Sequence, residues 1–250
     1  MKLSFDPELV SAFALALVRA TAWLFVAPPF NTRIVPTSVK AGVAAALALA
    51  AAPQIADAHL SLEACPFVGA IVMQAFTGFA LGMVTQLLFH AIQAAGGLVD
   101  LFAGFAMASM FDPMSDSGSS LFGRFYNLLA VTLLFVTNAH QVLIDGFFRS
   151  FQAIPVSGIE PAAAASILTR NVGPFLISAV EVAGPVIACL FLAEMTMGLL
   201  ARAAPSLNVF ALAFPLRVAV TLMVVGLALP LIIPAVANLV HMSVRAGLGG

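Results

Sequence analysis

The chain has 250 residues, 62% of them hydrophobic and 8% charged, with mean hydropathy +1.10 and formal net charge −1. A soluble domain carries about 25% charged residues, and no soluble core could hide this much apolar surface, so the sequence specifies an integral membrane protein. The charge balance excludes an electrostatic footprint for nucleic acid, and Cys65 and Cys189 stand alone, without a CxxC or a histidine at metal spacing, as small apolar residues.

The first apolar run, about Leu9 to Pro29, follows Asp6, Pro7 and Glu8. A secretory signal would carry a basic start and a small-residue cleavage site, so no cleavage is expected. Arg19 lies inside this run. A mid-span arginine costs at least about 2.5–3.5 kcal/mol, so it either snorkels to an interface or pairs within a helix bundle, and its central position favours pairing. After a turn through Pro28-Pro29 and Pro36 comes a short alanine-rich run, Ala41 to Ala52, ended by Pro53 and the acidic loop Asp57 to Glu63. At 1.5 Å per residue this run is too short to cross a core about 30 Å thick. Its small side chains suit one arm of a tight helical hairpin. The third run, Pro66 to His90, is long enough to span; Gly78 and Gly82 form a GxxxG contact face, and Gln74, Thr77, Thr85 and Gln86 prefer protein to lipid.

Ala94 to Arg124 is neither a clean span nor a clean loop. It opens on Gly96-Gly97, carries Phe102, Phe105, Met107, Met110, Phe111 and Met114, and ends in Asp112-Pro113 and the polar patch Ser115 to Ser120. Lipid cannot satisfy irregular backbone, so such a segment must be buried in protein or line a cavity. It reads as a pore-lining or pore-plugging element. Met107, Met110 and Met114 share a helix face, and flexible methionine suits a deformable seal as well as an ordinary core stripe.

The fourth run, Phe125 to Ile144, ends with Asn138, His140 and Asp145; with no second histidine nearby, His140 and Asn138 read as a helix-end pair rather than a ligand set. A loop with Arg149, Pro155, Gly158, Pro161 and Arg170 follows. The fifth run, Pro174 to Leu200, contains Glu181, Pro185 and Glu194; Pro185 should kink it, and the acids suit structural ion pairing, for instance of Glu194 with Arg202 through a partner, or proton coupling. Gly198 to Phe210 breaks the helix, and the last run, Phe210 to Leu239, holds Arg217 and should be bent or interrupted at Pro215, Pro230 and Pro234. The basic loop Asn31 to Lys40 against the acidic Asp57 to Glu63 favours a cytoplasmic first loop. The fold expected is therefore all-α, built of kinked helical hairpins, with about six apolar runs plus a re-entrant plug segment.

Several blocks together carry a resemblance: Arg19, Ala27-Pro28, Val39-Lys40-Ala41-Gly42, Leu81-Gly82, Gly104-Phe105-Ala106, Phe111-Asp112-Pro113, Asn138, His140, and the run Met197 to Phe210 followed by Phe214-Pro215-Leu216. Across essentially its whole length the chain resembles the FliR family of flagellar type III export-apparatus proteins. The resemblance implies one export-gate domain over residues 1–250, with a plug segment at about 96–124. It implies a non-catalytic subunit of a helical gate in the bacterial inner membrane, at the flagellar basal body. FliP-like and FliQ-like membrane subunits would complete the channel, FlhA-like and FlhB-like proteins would lie on its cytoplasmic side, and unfolded flagellar proteins would be the cargo. The plug falls by motif position on Gly104, Phe105, Met107, Met110, Phe111, Asp112, Pro113 and Met114, while Arg19, Glu181, Glu194, Arg202 and Arg217 are the intramembrane charges for assembly. Gly97 and Phe102 stand where relatives often carry Glu and Gln, Asp100 is an added charge, and Ala139 replaces a usual Gly. The injectisome T-subunit shares much of the pattern.

Two other classes fit less well. An ion-coupled secondary transporter would use broken helices and Arg19, Glu181, Glu194 and Arg217, but the two halves show no matched breaks. An intramembrane enzyme lacks any HExxH, GxSxG or paired-aspartate signature. No catalytic, cofactor or metal residue is expected.

Overall fold

The structure, a computed structural model, describes residues 7–32, 35–56, 64–105, 120–203 and 209–248. Among them are seven helices: α1 (Pro7–Val26), α2 (Thr37–Ala56), α3 (Ala64–Ala103), α4 (Leu121–Val136), α5 (Ala139–Ala153), α6 (Pro161–Ala203) and α7 (Val209–Gly247). Five, namely α1, α2, α3, α6 and α7, are long and apolar enough to cross a membrane, and the bent pair α4 and α5 gives a sixth if taken as one span. The chain is an all-α, multi-pass membrane protein.

Two compact units divide it: Met1–Leu88, Asn138–Gly173 and Val240–Gly250 form the first, Phe89–Thr137 and Pro174–Leu239 the second. In the first, small residues set the spacing. Ala12 and Ala16 of α1 pack with Ala48, Ala51, Ala52 and Ile55 of α2, against which Phe148 and Phe151 of α5 close. The GxxxG pair of α3 seats α1: a Cβ on Gly78 would lie 2.9 Å from the Ala22 Cβ, and one on Gly82 would lie 2.7 Å from the Val26 Cβ. Trp23 stacks on Phe147, which meets Phe151 edge-on at 5.2 Å. In the second unit, α6 buries Phe175, Ala179, Ala183, Val186 and Leu190, spaced so as to form one helical stripe.

Several boundaries differ from the sequence reading, mostly because proline and glycine were taken as stops. The alanine run does not end at Pro53; α2 is 20 residues long with Pro53 in its last turns, about 30 Å, which is enough to span. Gly96-Gly97 does not open irregular backbone; α3 runs 40 residues, straight through both. The fourth run is two helices, broken at Thr137-Asn138, with Asn138 left-handed at φ 57°, a conformation that asparagine tolerates better than most residues. Most of the loop expected between Arg149 and Arg170 is helix, leaving only residues 154–160 between α5 and α6. α6 runs on to Ala203, past Gly198 where the break was expected to begin, and α7 is not interrupted at Pro215, Pro230 or Pro234, as membrane helices can continue when other groups satisfy the freed carbonyls.

Candidate functional site

Two polar constellations stand out in this apolar chain, one in each unit. The first is built on Arg19, which is 0% exposed. Its Nε donates to Gln74 Oε1 at 2.6 Å, Nη1 to the Ser150 carbonyl at 2.9 Å and hydroxyl at 3.2 Å, and Nη2 to the Ile154 carbonyl at 3.4 Å. The guanidinium also lies 4.2 Å from the centre of the Phe151 ring. Every acceptor is neutral. Two are carbonyls of the last turn of α5 and its C-cap, where the helix dipole is negative. The planar fork of arginine thus reaches α3 and both sides of the α5 end at once.

The same cluster holds the 154–160 connection. Gln74, 1% exposed, donates onward to the Val156 carbonyl at 2.8 Å. Thr77 Oγ1 accepts from the Ile159 N–H at 3.1 Å. Gly158, at φ +83°, lies so close to Met73 that a Cβ would meet the Met73 Cβ at 2.6 Å. Gln74 and Thr77 are among the residues read as preferring protein; Thr85 only bonds its own helix at the Leu81 carbonyl, and Gln86 is half-buried.

The second constellation is the stem of the segment singled out for a plug. α3 stops at Ala103 in a Schellman cap: Gly104, at φ +82°, donates to the Leu101 carbonyl and Phe105 to the Asp100 carbonyl. Gly104-Phe105 ends this helix; Asp112-Pro113 lies outside the described residues. On the other side Ser120 caps α4, its hydroxyl accepting from the Gly123 N–H at 2.8 Å. Asp100, 3% exposed, joins the two ends: its Oδ2 accepts from the Ser120 hydroxyl and from the Phe122 N–H at 3.0 Å. Asp100 is thus a second N-cap for α4, a carboxylate at the positive end of a helix. Its other oxygen, Oδ1, has no partner among the described residues.

Close backbone approach makes this joint possible. A Cβ on Gly96 would lie 2.7 Å from the Gly123 Cα, and one on Gly123 would lie 3.2 Å from the Gln93 carbonyl. Gly97 has only the Ser120 hydroxyl, 3.8 Å away. Phe105 meets Phe122 edge-on at 5.8 Å. Arg217 lies against Gly104 and forms an ion pair with Glu194.

The positions named from sequence are distributed as follows. Gly104 and Phe105 belong to the stem; Met107, Met110, Phe111, Asp112, Pro113 and Met114 lie outside the described residues. Glu194 is paired with Arg217 rather than sharing a partner with Arg202, which is exposed. Glu181 is exposed on α6. Sequence reasoning missed the joining role of Asp100. The serine before an apolar run was a usable helix-start signal; a carboxylate twenty residues upstream that completes the cap was not.

Helices long and apolar enough to cross a membrane, packed closely at glycine and alanine, define a multi-pass membrane protein. Residues 10–243 match the family described as bacterial export proteins, family 1, and the chain belongs to that family. It is 31% identical to flagellar biosynthetic protein FliR of Bacillus subtilis (strain 168), covering 95% of this chain and 93% of that protein. It is 33% identical to FliR of Pectobacterium carotovorum subsp. carotovorum, over 92% and 88% of the two chains. It is also 30% identical to Yop proteins translocation protein T of Yersinia pestis, over 83% and 82%.

Proposed function

We propose that this chain is a structural and gating subunit of the flagellar type III protein export gate. It sits in the inner membrane at the flagellar basal body, acts as one gate domain and has no catalytic role. It forms the channel with FliP-like and FliQ-like subunits, works beside FlhA-like and FlhB-like proteins, and passes unfolded flagellar proteins. The observation that carries this reading is the near full-length similarity to proteins named for flagellar biosynthesis. The apolar, glycine-packed helices agree with a channel wall.

Within the gate, the segment of about 96–124 is the pore plug. Gly104 and Phe105 are at its stem, and Met107, Met110, Phe111 and Met114 seal, with Asp112-Pro113 turning the chain. The joint at Asp100, Ser120 and Phe122 supports this, because it fixes both ends of the segment within one unit. Arg19, Glu181, Glu194, Arg202 and Arg217 serve assembly rather than turnover.

A second reading, an injectisome subunit, is favoured by the similarity to Yop proteins translocation protein T. Deleting the gene in its own host separates the two. The flagellar reading predicts loss of swimming and of secreted filament protein, with other protein secretion intact. Unchanged swimming with lost secretion of other proteins supports the injectisome instead.

A further inference from the structure

The outward face of α6 carries an unexplained acid. α6 buries Phe175, Ala179, Ala183, Val186 and Leu190, and at 100° per residue Glu181 falls opposite that stripe. It is exposed, as are Ile177, Val180, Pro185 and Ala188 around it. The run of α6 between Arg170 and Glu194 holds no other charge. It is about 35 Å of helix, close to the thickness of a hydrocarbon core, and Glu181 falls near its middle.

Pro185 sharpens the problem. It lacks an N–H, so the Glu181 carbonyl loses its helical donor. Position 181 therefore presents two acceptors, a carboxylate and a freed carbonyl, in mid-span on an outward face. Lipid satisfies neither. A helix from a neighbouring chain can, and Gly184, with no heavy atom within 4 Å of its Cβ position, leaves room for one to come close. Two acceptors, one of them anionic, call for a cationic donor.

We infer that the α6 face around Glu181 docks a transmembrane helix of a neighbouring subunit, and that a Lys or Arg of that helix is received by the Glu181 carboxylate and carbonyl. This rests on the export-gate reading for the existence of neighbours but not for its chemistry. It assigns Glu181 to an interface rather than to a water-filled path.

The test uses the full chain in its native membrane, with a photo-crosslinking benzoylphenylalanine at Ile177 and Glu181 intact. The expected product is an adduct with another membrane protein, on a helix with a Lys or Arg within about one turn of the linked residue. Glu181→Lys should lower the amount of co-purified companions about tenfold or more, and Glu181→Gln by less. Reversing the mapped cation to Glu should restore assembly of the Glu181→Lys variant. Adducts with lipid alone, an adduct on a helix without a cation, or normal assembly of Glu181→Lys each overturn the inference. So does labelling of Glu181→Cys by a membrane-impermeant thiol reagent in the assembled complex. Should Glu181→Lys fail to accumulate, the crosslink decides on its own. If companions co-purify but the adduct is lipid, only the role of Glu181 fails. If nothing co-purifies with the unmodified chain, the export-gate reading fails.

Discussion

Replacing Asp100 with alanine should loosen the joint between α3 and α4 without unfolding either unit. The carboxylate receives two hydrogen bonds, from the Ser120 hydroxyl and the Phe122 N–H. A bond to a charged acceptor contributes about 1.5–3 kcal/mol, and a buried donor left unpaired costs about 1–3 kcal/mol. Phe122 is 5% exposed, so its N–H has little access to water. Against this, the alanine variant no longer buries a carboxylate whose Oδ1 lacks a partner among the described residues. The balance is a loss of about 2 kcal/mol in local stability, which corresponds to roughly 30-fold faster exchange. Hydrogen exchange read by mass spectrometry on the reconstituted chain checks it, at the Phe122 and Gly123 amides. Asp100→Asn keeps an acceptor and loses the charge, so it should fall between the two. Asp100→Ala and Ser120→Ala should be non-additive, since both act on one cap. Exchange at those amides within about twofold of the unmodified chain would refute the joint.

Three other outcomes are expected. Arg19→Lys keeps the charge but cannot reach all of Gln74, Ser150 and Ile154, so the thermal stability of the solubilised complex should fall, and Arg19→Met should fall further, by about 3 kcal/mol or more, as the buried acceptors lose their donor. Gly96→Ala should cost about 2 kcal/mol or more in the stability of the second unit, because its Cβ meets Phe122 and Gly123 backbone, whereas Gly42→Ala, in open space, should stabilise α2 by about 0.5–1 kcal/mol in the same unfolding assay. Deleting about Met107 to Met114 should make membranes holding the assembled gate leak small solutes; unchanged ion permeability removes the plug.

Much of the fold could be read directly. The apolar runs located α1, α3, α6 and α7, because length and hydropathy decide that question, while the run at Ala41 to Ala52 read as too short to cross and α2 is long enough. Gly78 and Gly82 also read correctly as a contact face, since small residues four apart share a side. Two of the errors came from reading punctuation by the rules for soluble chains: Pro53 does not end its helix, and Gly96 is a packing contact rather than a break. The stop of α3 at Gly104-Phe105 carries an ordinary helix-end signature, which the reading of Ala94 to Arg124 as one segment passed over. The partners of Arg19 and Asp100 could not be read at all. Gln74, Ser150 and Ser120 meet them only through the tertiary fold, 55, 131 and 20 positions away.

The central claim is that the chain works as one part of a multi-subunit export gate. Affinity purification of the tagged chain from its native membrane, with mass spectrometry of what accompanies it, tests that most directly. The account predicts a stable complex with two other small multi-pass membrane proteins and poor behaviour of the chain alone. A stable solitary chain that drives ion-coupled uptake of a solute in proteoliposomes would contradict it.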